Sequence, residues 1–472
     1  MIATTDTFGR APRAGTAHTP TTTSPPPPPP RGIRVPRIGT SVALTAAVMV
    51  SSAPSLLPRP AVTQALFTGV VMAGALAVVW SARRVVGPRP PGRLRPRAWS
   101  VGVGTLIAID SLYTNTLWQN RLRIAMDVDT VGWGYAVDVA GGAACVTLAL
   151  CGLGRLATTI LGALGVGRSL VLIAIAGLLS YAVAAPAVRS AVSDSLSASN
   201  SASDDAVTAP HGSARSGAPD SLVPWNTLGR EGRKFATGGV DPETVRTYVG
   251  LDSAPTLEER VELAVADMER AGAFGRNVVV VAIPTGSGWV DENAVSGAEN
   301  RFGGDVATVA MQYSNKPSWA TFLFAENDAR RSANALVRAV AARAARESTP
   351  PSVVVYGQSL GAVAGSDAYL SLRQSNRIIC GAVWAGPPAG AVNTEGATVL
   401  ANSSDPVVQW SADLLWSPPN TTSSPRDAPT PMWLPIVSFV QTSVDLAAAL
   451  DVDAGHGHRY GTGQGTSMPW CR

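Results

Sequence analysis

Charged residues are scarce in this sequence of 472 amino acids, since Asp, Glu, Lys and Arg make up 15% of it against 46% hydrophobic residues. A soluble domain of average composition carries about 25% charged residues, so this balance indicates a part embedded in a membrane. Positions 1–189 hold 17 basic and 5 acidic side chains, whereas 190–472 hold 20 and 28. The arginines of the basic half lie between apolar spans, as in membrane proteins. A nucleic-acid binder needs a continuous basic face, so we expect no nucleic-acid partner.

Cysteine is equally rare, and four residues are too few for a fold built on disulfides. Cys145 and Cys151 fall within an apolar stretch, where they act as small hydrophobic residues. Cys380 and Cys471 are able to pair if their part of the chain lies outside the cytoplasm, and two free thiols are the alternative. No C-x-x-C pair or His/Cys cluster occurs, so the sequence predicts no metal site and no cofactor.

The first 37 residues are polar and proline-rich, with six successive prolines at 25–30, and predict a disordered tail. Apolar stretches follow, each close to the roughly 20 residues that a helix needs to cross a bilayer. Five such stretches predict a transmembrane domain over 38–189, and they lie near 38–57, 61–82, 99–118, 132–152 and 168–189.

Arginine placement predicts the orientation of these spans. Counted from residue 31, eleven arginines lie just before the first span, between the second and third, and between the fourth and fifth, whereas three (Arg59, Arg121 and Arg123) lie in the other loops. Because positively charged loops stay in the cytoplasm, the N-terminus is predicted to be cytoplasmic and everything after residue 190 extracytoplasmic. The sequence therefore predicts a multi-pass protein of the cell membrane, in contact with the lipid bilayer.

Two carboxylates, Asp110 and Asp138, fall inside predicted spans, where a lone charge is costly. We expect them to be protonated or hydrogen-bonded to Tyr113, Asn115 or Tyr135. A role in helix packing is the first interpretation, and passage of an ion or substrate is the alternative.

Beyond the spans, residues 190–222 are rich in Ser, Ala and Asp without periodicity, which predicts a flexible linker. From 223 onwards strand and helix patterns alternate, as in an α/β fold with a mostly parallel sheet between helices. A capping box at Thr256 and Glu259 predicts the start of the first helix, 256–273. A second helix is predicted at 327–346, and strands at 277–283, 306–313, 352–356, 377–385 and 396–401.

The segment Gly-Gln-Ser-Leu-Gly at 357–361 lies between the strand 352–356 and an Ala-rich helix. A G-x-S-x-G match arises easily by chance in a chain rich in Gly and Ser. The strand before it and the helix after it make Ser359 a candidate nucleophile, because a sharp turn there lifts the hydroxyl above the sheet edge.

A nucleophilic serine needs a base, and imidazole suits that role near neutral pH. The chain has four histidines, of which His18 lies in the tail and His211 in the linker. His456 and His458 remain, both after the last predicted strand, as the chain order Ser, acid, His requires. Their spacing does not decide which of them is the base.

An acid that orients the imidazole is expected after a later strand, and Asp405 follows the strand 396–401. Asp445 is the second candidate for this acid and Asp413 the third. The oxyanion of such a reaction needs two backbone donors. Leu360 would supply one, and Gly286 or Ser287 in a glycine-rich loop the other, unless that loop is an ordinary turn.

Several segments together resemble an actinobacterial family of membrane-anchored α/β-hydrolases, which join a multi-span N-terminal domain to a C-terminal hydrolase domain. The resemblance covers 38–463 and implies the α/β-hydrolase fold with a triad centred on Ser359, but no substrate. The segments that carry it are SLLPRP, VVAIPTGSGWVDENA, VAMQYSNKPSW, VVVYGQSLGA, WAGPP and GHGHRYG.

The sequence thus predicts an integral membrane serine hydrolase of the esterase or lipase type. We expect it to attack an ester or thioester of a lipid or cell-envelope acyl group through an acyl-serine intermediate. An acyltransferase with the same triad is an alternative. So is a catalytically silent hydrolase fold that acts as a sensor or assembly module, and a transporter would rest on Asp110 and Asp138.

Overall fold

A computed structural model of the chain contains an N-terminal helical region followed by a region of alternating strands and helices. The predicted tail and most of the predicted fifth span lie outside the described residues. The structure describes residues 9, 35–87, 93–165, 194–202, 207–239, 241–316, 326–374, 378–420 and 424–470, with isolated positions between 167 and 182.

Helices occupy the first four predicted spans: α1 (Ile38–Ser51), α2 (Ala61–Val86), α3 (Leu94–Ala125) and α4 (Trp133–Leu164). Two of them, α2 and α4, are long and apolar enough to cross a membrane, and only 17% of each apolar window is buried. The helix α1 is apolar but has 14 residues, and α3 carries arginine near both ends. Apolar side chains that stay exposed over most of a helix fit contact with lipid better than contact with water.

The four helices form an up-and-down bundle, in which α1 packs against α2 and α3, and α2 packs against α4. Asn115 donates a hydrogen bond to the Ser52 carbonyl (3.1 Å), and Trp118 donates one to Ser55 (2.9 Å). These bonds bring the C-terminal ends of α1 and α3 together. The loops that follow these ends, 52–60 and 126–132, therefore lie at the same end of the bundle.

The hydrogen bonds expected for Asp110 and Asp138 are absent among the described residues, whereas the alternative, that both carboxyls are protonated, stays a prediction. Both side chains are exposed on the bundle surface, and no described hydrogen bond reaches either carboxylate. For Asp110 the cause is helical geometry: Asn115 faces α1, and five residues turn a helix by roughly 140° away from that face. Beside Asp138, the Tyr135 hydroxyl is buried without a hydrogen-bond partner.

The C-terminal region is built on a six-stranded sheet in the order β1-β3-β2-β4-β5-β6, with every neighbouring pair parallel. All positions of β2 and β3 are buried, which is why their sequences are continuously apolar rather than alternating. The strands are β1 (Val245–Val249), β2 (Val278–Ile283), β3 (Val306–Met311), β4 (Ser352–Gln358), β5 (Ile379–Ala385) and β6 (Ala397–Leu400).

Helices lie on both faces of this sheet, so the predicted α/β class with a parallel sheet is confirmed. The five predicted strands match β2 to β6 to within two residues at each end, whereas the edge strand β1 was missed. The predicted capping box at Thr256 is present. The helices are α5 (Gly229–Thr237), α6 (Leu257–Arg270), α7 (Glu292–Arg301), α8 (Glu326–Ala344), α9 (Leu360–Arg373), α10 (Pro406–Gln409), α11 (Val437–Asp445) and α12 (Gly463–Thr466).

The prediction that 190–222 is a flexible linker is wrong for its described parts, because they are packed against the sheet region. The Ser216 amide donates to the Arg246 carbonyl and the Arg246 amide donates to Ala214, both at 3.1 Å, which extends the sheet beside β1. The Ser216 hydroxyl also bonds the buried Asp267 carboxylate (2.5 Å). Small side chains let this segment lie flat against the edge strand. A polar, aperiodic sequence does not reveal such pairing.

Because β2 and α9 approach each other closely at Gly361, a side chain at this position is predicted to destabilise the fold. A Cβ there would overlap the Ile283 carbonyl oxygen and lie 3.0 Å from the Pro284 oxygen, and backbone atoms cannot rotate away. We expect Gly361→Ala to lower the free energy of unfolding by about 1–3 kcal/mol. The matched control is Gly275→Ala, where a Cβ meets open space and the loss should stay within about 0.5 kcal/mol. Equal thermal unfolding of both variants in detergent would contradict this packing.

Candidate active site

Ser359 occupies a strained turn between β4 and α9. Its backbone has φ 54° and ψ −122°, and it is one of three non-glycine residues with positive φ in the described part of the chain. Such a conformation costs about 1–3 kcal/mol and persists only where the surroundings enforce it. The Ser359 amide donates to the Ala385 carbonyl at the end of β5 (2.9 Å). The half-buried side chain does not cap α9, so the hydroxyl is not used to hold the helix.

Asp405 follows β6 and is completely buried. One carboxylate oxygen, Oδ1, accepts a hydrogen bond from the Val407 amide (2.8 Å) at the start of α10. The other oxygen, Oδ2, accepts the Tyr460 hydroxyl (2.7 Å) and contacts His458 Nδ1 (2.8 Å). Three partners satisfy the carboxylate and hold its orientation.

His458 is held next to the serine turn by its backbone as well as by its ring. Its carbonyl accepts a hydrogen bond from the side chain of Gln358, the residue before Ser359 (3.2 Å). The ring lies against Gly386, where a Cβ would come within 2.8 Å of the imidazole Cε1. Gly386 directly follows Ala385, so the imidazole and Ser359 both meet the end of β5.

The bond from Asp405 to Nδ1 of His458 leaves Nε2 for a second partner. Among the described residues no hydrogen bond joins Nε2 to the Ser359 hydroxyl. Bonds of this kind in enzymes often tighten only around the substrate. The arrangement places the Asp405–His458 pair beside the turn that carries Ser359, to which it is linked through Gln358 and Gly386.

His456 belongs to a different cluster. Its Nδ1 lies 3.1 Å from Asp427 Oδ2, and Asp427 also accepts the Ser403 hydroxyl (2.8 Å) and the Ser404 amide (3.0 Å). The Ser404 hydroxyl in turn accepts the Gly457 amide (2.8 Å). This cluster, which includes His456, joins the loop before Asp405 to the loop that carries both histidines.

The predicted oxyanion donors lie around the start of α9. Leu360 is the first residue of that helix, where backbone N–H groups have no acceptor within the helix. In the loop after β2 the Thr285 amide donates to Trp289 and the Gly288 amide donates to Thr285, both at 2.9 Å, which forms a tight turn. Gly286 is buried in this turn and Ser287 is half-buried. Because Gly361 touches the Ile283 and Pro284 carbonyls, the two predicted donor segments are neighbours.

The remaining acid candidates have other surroundings. Asp445 is buried, but it pairs with Arg59 of the helical region (2.8 Å) and not with a histidine. Asp413 is exposed at the start of a short 3-10 turn. Neither carboxylate hydrogen bonds to a histidine among the described residues, which leaves Asp405 as the partner of His458.

Three of the four cysteines lie among the described residues. Cys380 is disulfide-bonded, and Cys145 and Cys151 are free. The predicted partner of Cys380, Cys471, lies outside the described residues. Within the described ranges no group of three or more His, Cys, Asp and Glu side chains is arranged to hold a metal ion.

Two polar residues of the site were missed by sequence reasoning. Tyr460 donates to Asp405, and burial raises the pKa of its hydroxyl well above 10, so this group remains a donor at neutral and alkaline pH. Tyr460 does lie in the quoted segment GHGHRYG, but nothing in that pattern assigns it a partner. Asp427 has no sequence signal, because it lies in a loop far from any motif.

Comparison with known proteins agrees with the fold. One family model, described as an alpha/beta-hydrolase family, matches residues 245–399 and 393–470, and a second, described as the N-terminus of that family, matches 52–239. The chain belongs to this alpha/beta-hydrolase family. The family matches cover both the helical region and the sheet region, so the two parts are features of the same family. No curated protein and no solved structure matched the chain.

Because Tyr460 donates to a carboxylate, we predict that its replacement by Phe destabilises the fold more than the same replacement of a tyrosine that donates to a neutral carbonyl. Tyr460→Phe removes a donor to a buried carboxylate and should lower the free energy of unfolding by about 2 kcal/mol. Tyr248→Phe removes an equally buried hydroxyl that donates to the neutral Gly288 carbonyl (2.8 Å), and about 1 kcal/mol is expected there. Thermal unfolding of both variants in detergent tests this, and a loss at position 460 no larger than at 248 would contradict it.

Proposed function

We propose that this chain is a membrane-anchored serine hydrolase in which Ser359 is the nucleophile, His458 the base and Asp405 the acid that orients the imidazole. The observation that supports this most is the buried Asp405–His458 pair lying beside a serine on a strained strand-to-helix turn. An imidazole fixed through Nδ1 by a carboxylate keeps Nε2 as the proton acceptor. The pairing favours His458 over His456 as the base.

In the proposed reaction the Ser359 Oγ attacks the carbonyl carbon of an ester or thioester, and its proton passes to His458 Nε2. The resulting oxyanion is stabilised by the Leu360 amide and by Gly286 or Ser287. Collapse of the tetrahedral intermediate breaks the bond to the alcohol or thiol, which takes the proton from His458 and leaves. The acyl group is then carried on Ser359.

The second half of the reaction repeats these steps with a new nucleophile. Water, deprotonated by His458, attacks the acyl-serine carbonyl and releases the carboxylic acid together with free Ser359. An alcohol in the place of water would give a new ester, which is acyl transfer by the same residues.

We further propose that the sheet region lies outside the cytoplasm, on a bundle of membrane spans. Residues of the sheet region contact the loop 52–60, whereas described arginines at the end of α2 and the start of α3 lie at the opposite end of the bundle, where Arg83 and Arg97 bond to Thr40 and Pro36. Positively charged ends remain cytoplasmic. The chain must also return from the end of α4 to reach 194–202, which contacts Arg233 and Gln312, and this return supports a fifth crossing.

A lipid or cell-envelope acyl ester is the proposed substrate class. Large apolar side chains are exposed in the segment 406–450, which lies in sequence between Asp405 and His458. Trp410, for instance, is stacked on Phe439 with ring centroids 5.6 Å apart. Exposed apolar surface of this kind suits contact with acyl chains or a membrane surface. The exposed residues are Trp410, Trp416, Met432, Leu434, Ile436 and Leu450.

A fluorophosphonate probe tests the assignment, because it reacts with an activated serine. The full-length protein should be labelled, and Ser359→Ala should abolish labelling. His458→Gln should slow labelling by about a thousandfold or more. His456→Gln is the matched control and should keep labelling near the wild-type rate, since its partner Asp427 is not bonded to Asp405.

Three results would contradict the proposal. A folded wild-type protein that does not react favours a silent sensor or assembly module. Labelling that survives Ser359→Ala places the reactive serine elsewhere. A larger loss in His456→Gln than in His458→Gln would exchange the roles of the two histidines.

A further inference from the structure

The loop 52–60 of the helical region carries a buried arginine that binds the sheet region. Arg59 is 1% exposed although it lies between two apolar helices. Its Nε donates to Asp445 Oδ1 (2.9 Å), and its two terminal nitrogens donate to the side-chain oxygen (2.7 Å) and the carbonyl (3.0 Å) of Gln441. A guanidinium whose donors are all directed in this way has one orientation.

Asp445 and Gln441 bind back to the same end of the bundle. Asp445 Oδ2 accepts the Leu56 amide (2.8 Å), and the Gln441 side chain donates to the Val50 carbonyl (2.7 Å). Burial raises the pKa of the Asp445 carboxyl, and the Arg59 guanidinium opposes this by favouring the ionised form. Breaking one partner of a buried ion pair leaves an uncompensated charge, so the two regions are strongly held together here.

This ion pair is linked to the backbone of the proposed base through a short segment of chain. The helix α11 ends at Asp445, a 3-10 turn follows at Leu446–Ala448, and the next residue, Ala449, accepts the His458 amide through its carbonyl (2.8 Å). The position of α11 therefore sets the position of the carbonyl that holds the His458 backbone.

A second contact reaches the same loop directly from the helical region. Gly457 has φ 51°, and a Cβ there would lie 2.8 Å from the Ala449 oxygen and 3.3 Å from Leu57 Cδ2. Leu57 is fully buried. It belongs to an apolar cluster shared by both regions, formed by Leu56, Leu57, Leu122, Met126, Ala428 and Val452.

We propose that Arg59, through Asp445, is a positioning residue for His458, so that catalysis depends on contact between the helical region and the sheet region. This inference rests on the proposed function in that His458 is taken as the base. An imidazole must be held to a fraction of an ångström for proton transfer, and a displacement of about 1 Å costs about a hundredfold in rate. Arg59 touches neither the proposed nucleophile nor the base and acts only through the backbone around them.

The test uses Arg59→Lys in the full-length chain. Lysine keeps the charge but replaces the planar fork by a single ammonium, so it cannot reproduce the geometry in which three guanidinium nitrogens bond Asp445 and Gln441. With a soluble short-chain ester, kcat should fall by about tenfold or more while KM stays within about twofold, because the substrate contacts are unchanged. Hydrogen exchange in the peptide 446–460 should become faster.

A matched control separates positioning from general destabilisation. Arg270 also donates its Nε to a fully buried carboxylate, that of Asp267 (2.7 Å), beside β1 at the far edge of the sheet from β6. Arg270→Lys should lower the melting temperature comparably and leave kcat and exchange in 446–460 unchanged. If the two lysine variants lost kcat in equal measure, Arg59 would be merely structural and the proposal would fail.

A second variant covers the case in which Arg59→Lys does not fold. Arg59→Met combined with Asp445→Leu replaces the pair with apolar side chains of similar volume, a change that proteins often tolerate. The folded double variant should still lose kcat, because the bonds to Leu56 and Gln441 are gone, and full activity would overturn the inference.

A wild-type chain that turns over no ester would refute the proposed function instead. In that case the hydrogen-exchange rate of the peptide 446–460 would still decide the inference. A rate in Arg59→Lys that equals the wild-type rate would contradict it.

Discussion

The need to satisfy one buried carboxylate organises the candidate active site. Asp405 has no contact with solvent, so each oxygen needs donors from the protein itself. Its partners all follow it in the chain, one nearby and two distant: Val407 lies two residues on, and His458 and Tyr460 lie more than fifty residues on. Those bonds bring the C-terminal loop onto the end of the sheet, where the turn at Ser359 lies. Asp405 thus adds bonds to the imidazole and to Tyr460, while Gln358 holds the His458 carbonyl beside the turn.

A second buried carboxylate needs donors from the protein where the helical region meets the sheet region. Asp445 is as buried as Asp405, and its donors are Arg59 and the Leu56 amide rather than a histidine. One buried aspartate therefore orders the proposed catalytic residues, and the other joins them to the helical region. The short 3-10 turn after α11 links the two, because Ala449 holds the His458 amide. A hydrolase built in this way is one structural unit with its helical bundle.

Much of this fold was predictable because continuous apolar strands and a strand-turn-helix serine leave clear local patterns. The sheet strands β2 to β6, the turn at Ser359 and the choice of Asp405 as first acid candidate came from such patterns. Local patterns could not decide between His456 and His458, since a one-residue spacing carries no information about which ring faces Asp405. The packed segment around Ser216 was misjudged as flexible because its pairing with Arg246 is long-range. The sequence shows Arg59 only as one of three arginines in the other loops, since its burial depends on contacts 386 residues away along the chain.

The central claim is that Ser359 and His458 meet as nucleophile and base. An experimental structure of the full-length protein after reaction with a fluorophosphonate tests it most directly. The account predicts phosphorus bonded to Ser359 Oγ, His458 Nε2 within about 3 Å of that oxygen, and the Asp405–His458 bond retained. A phosphonate oxygen should also lie about 3 Å from the Leu360 amide. An adduct on Ser359 with His458 turned away, or with another residue in its place, would contradict the account.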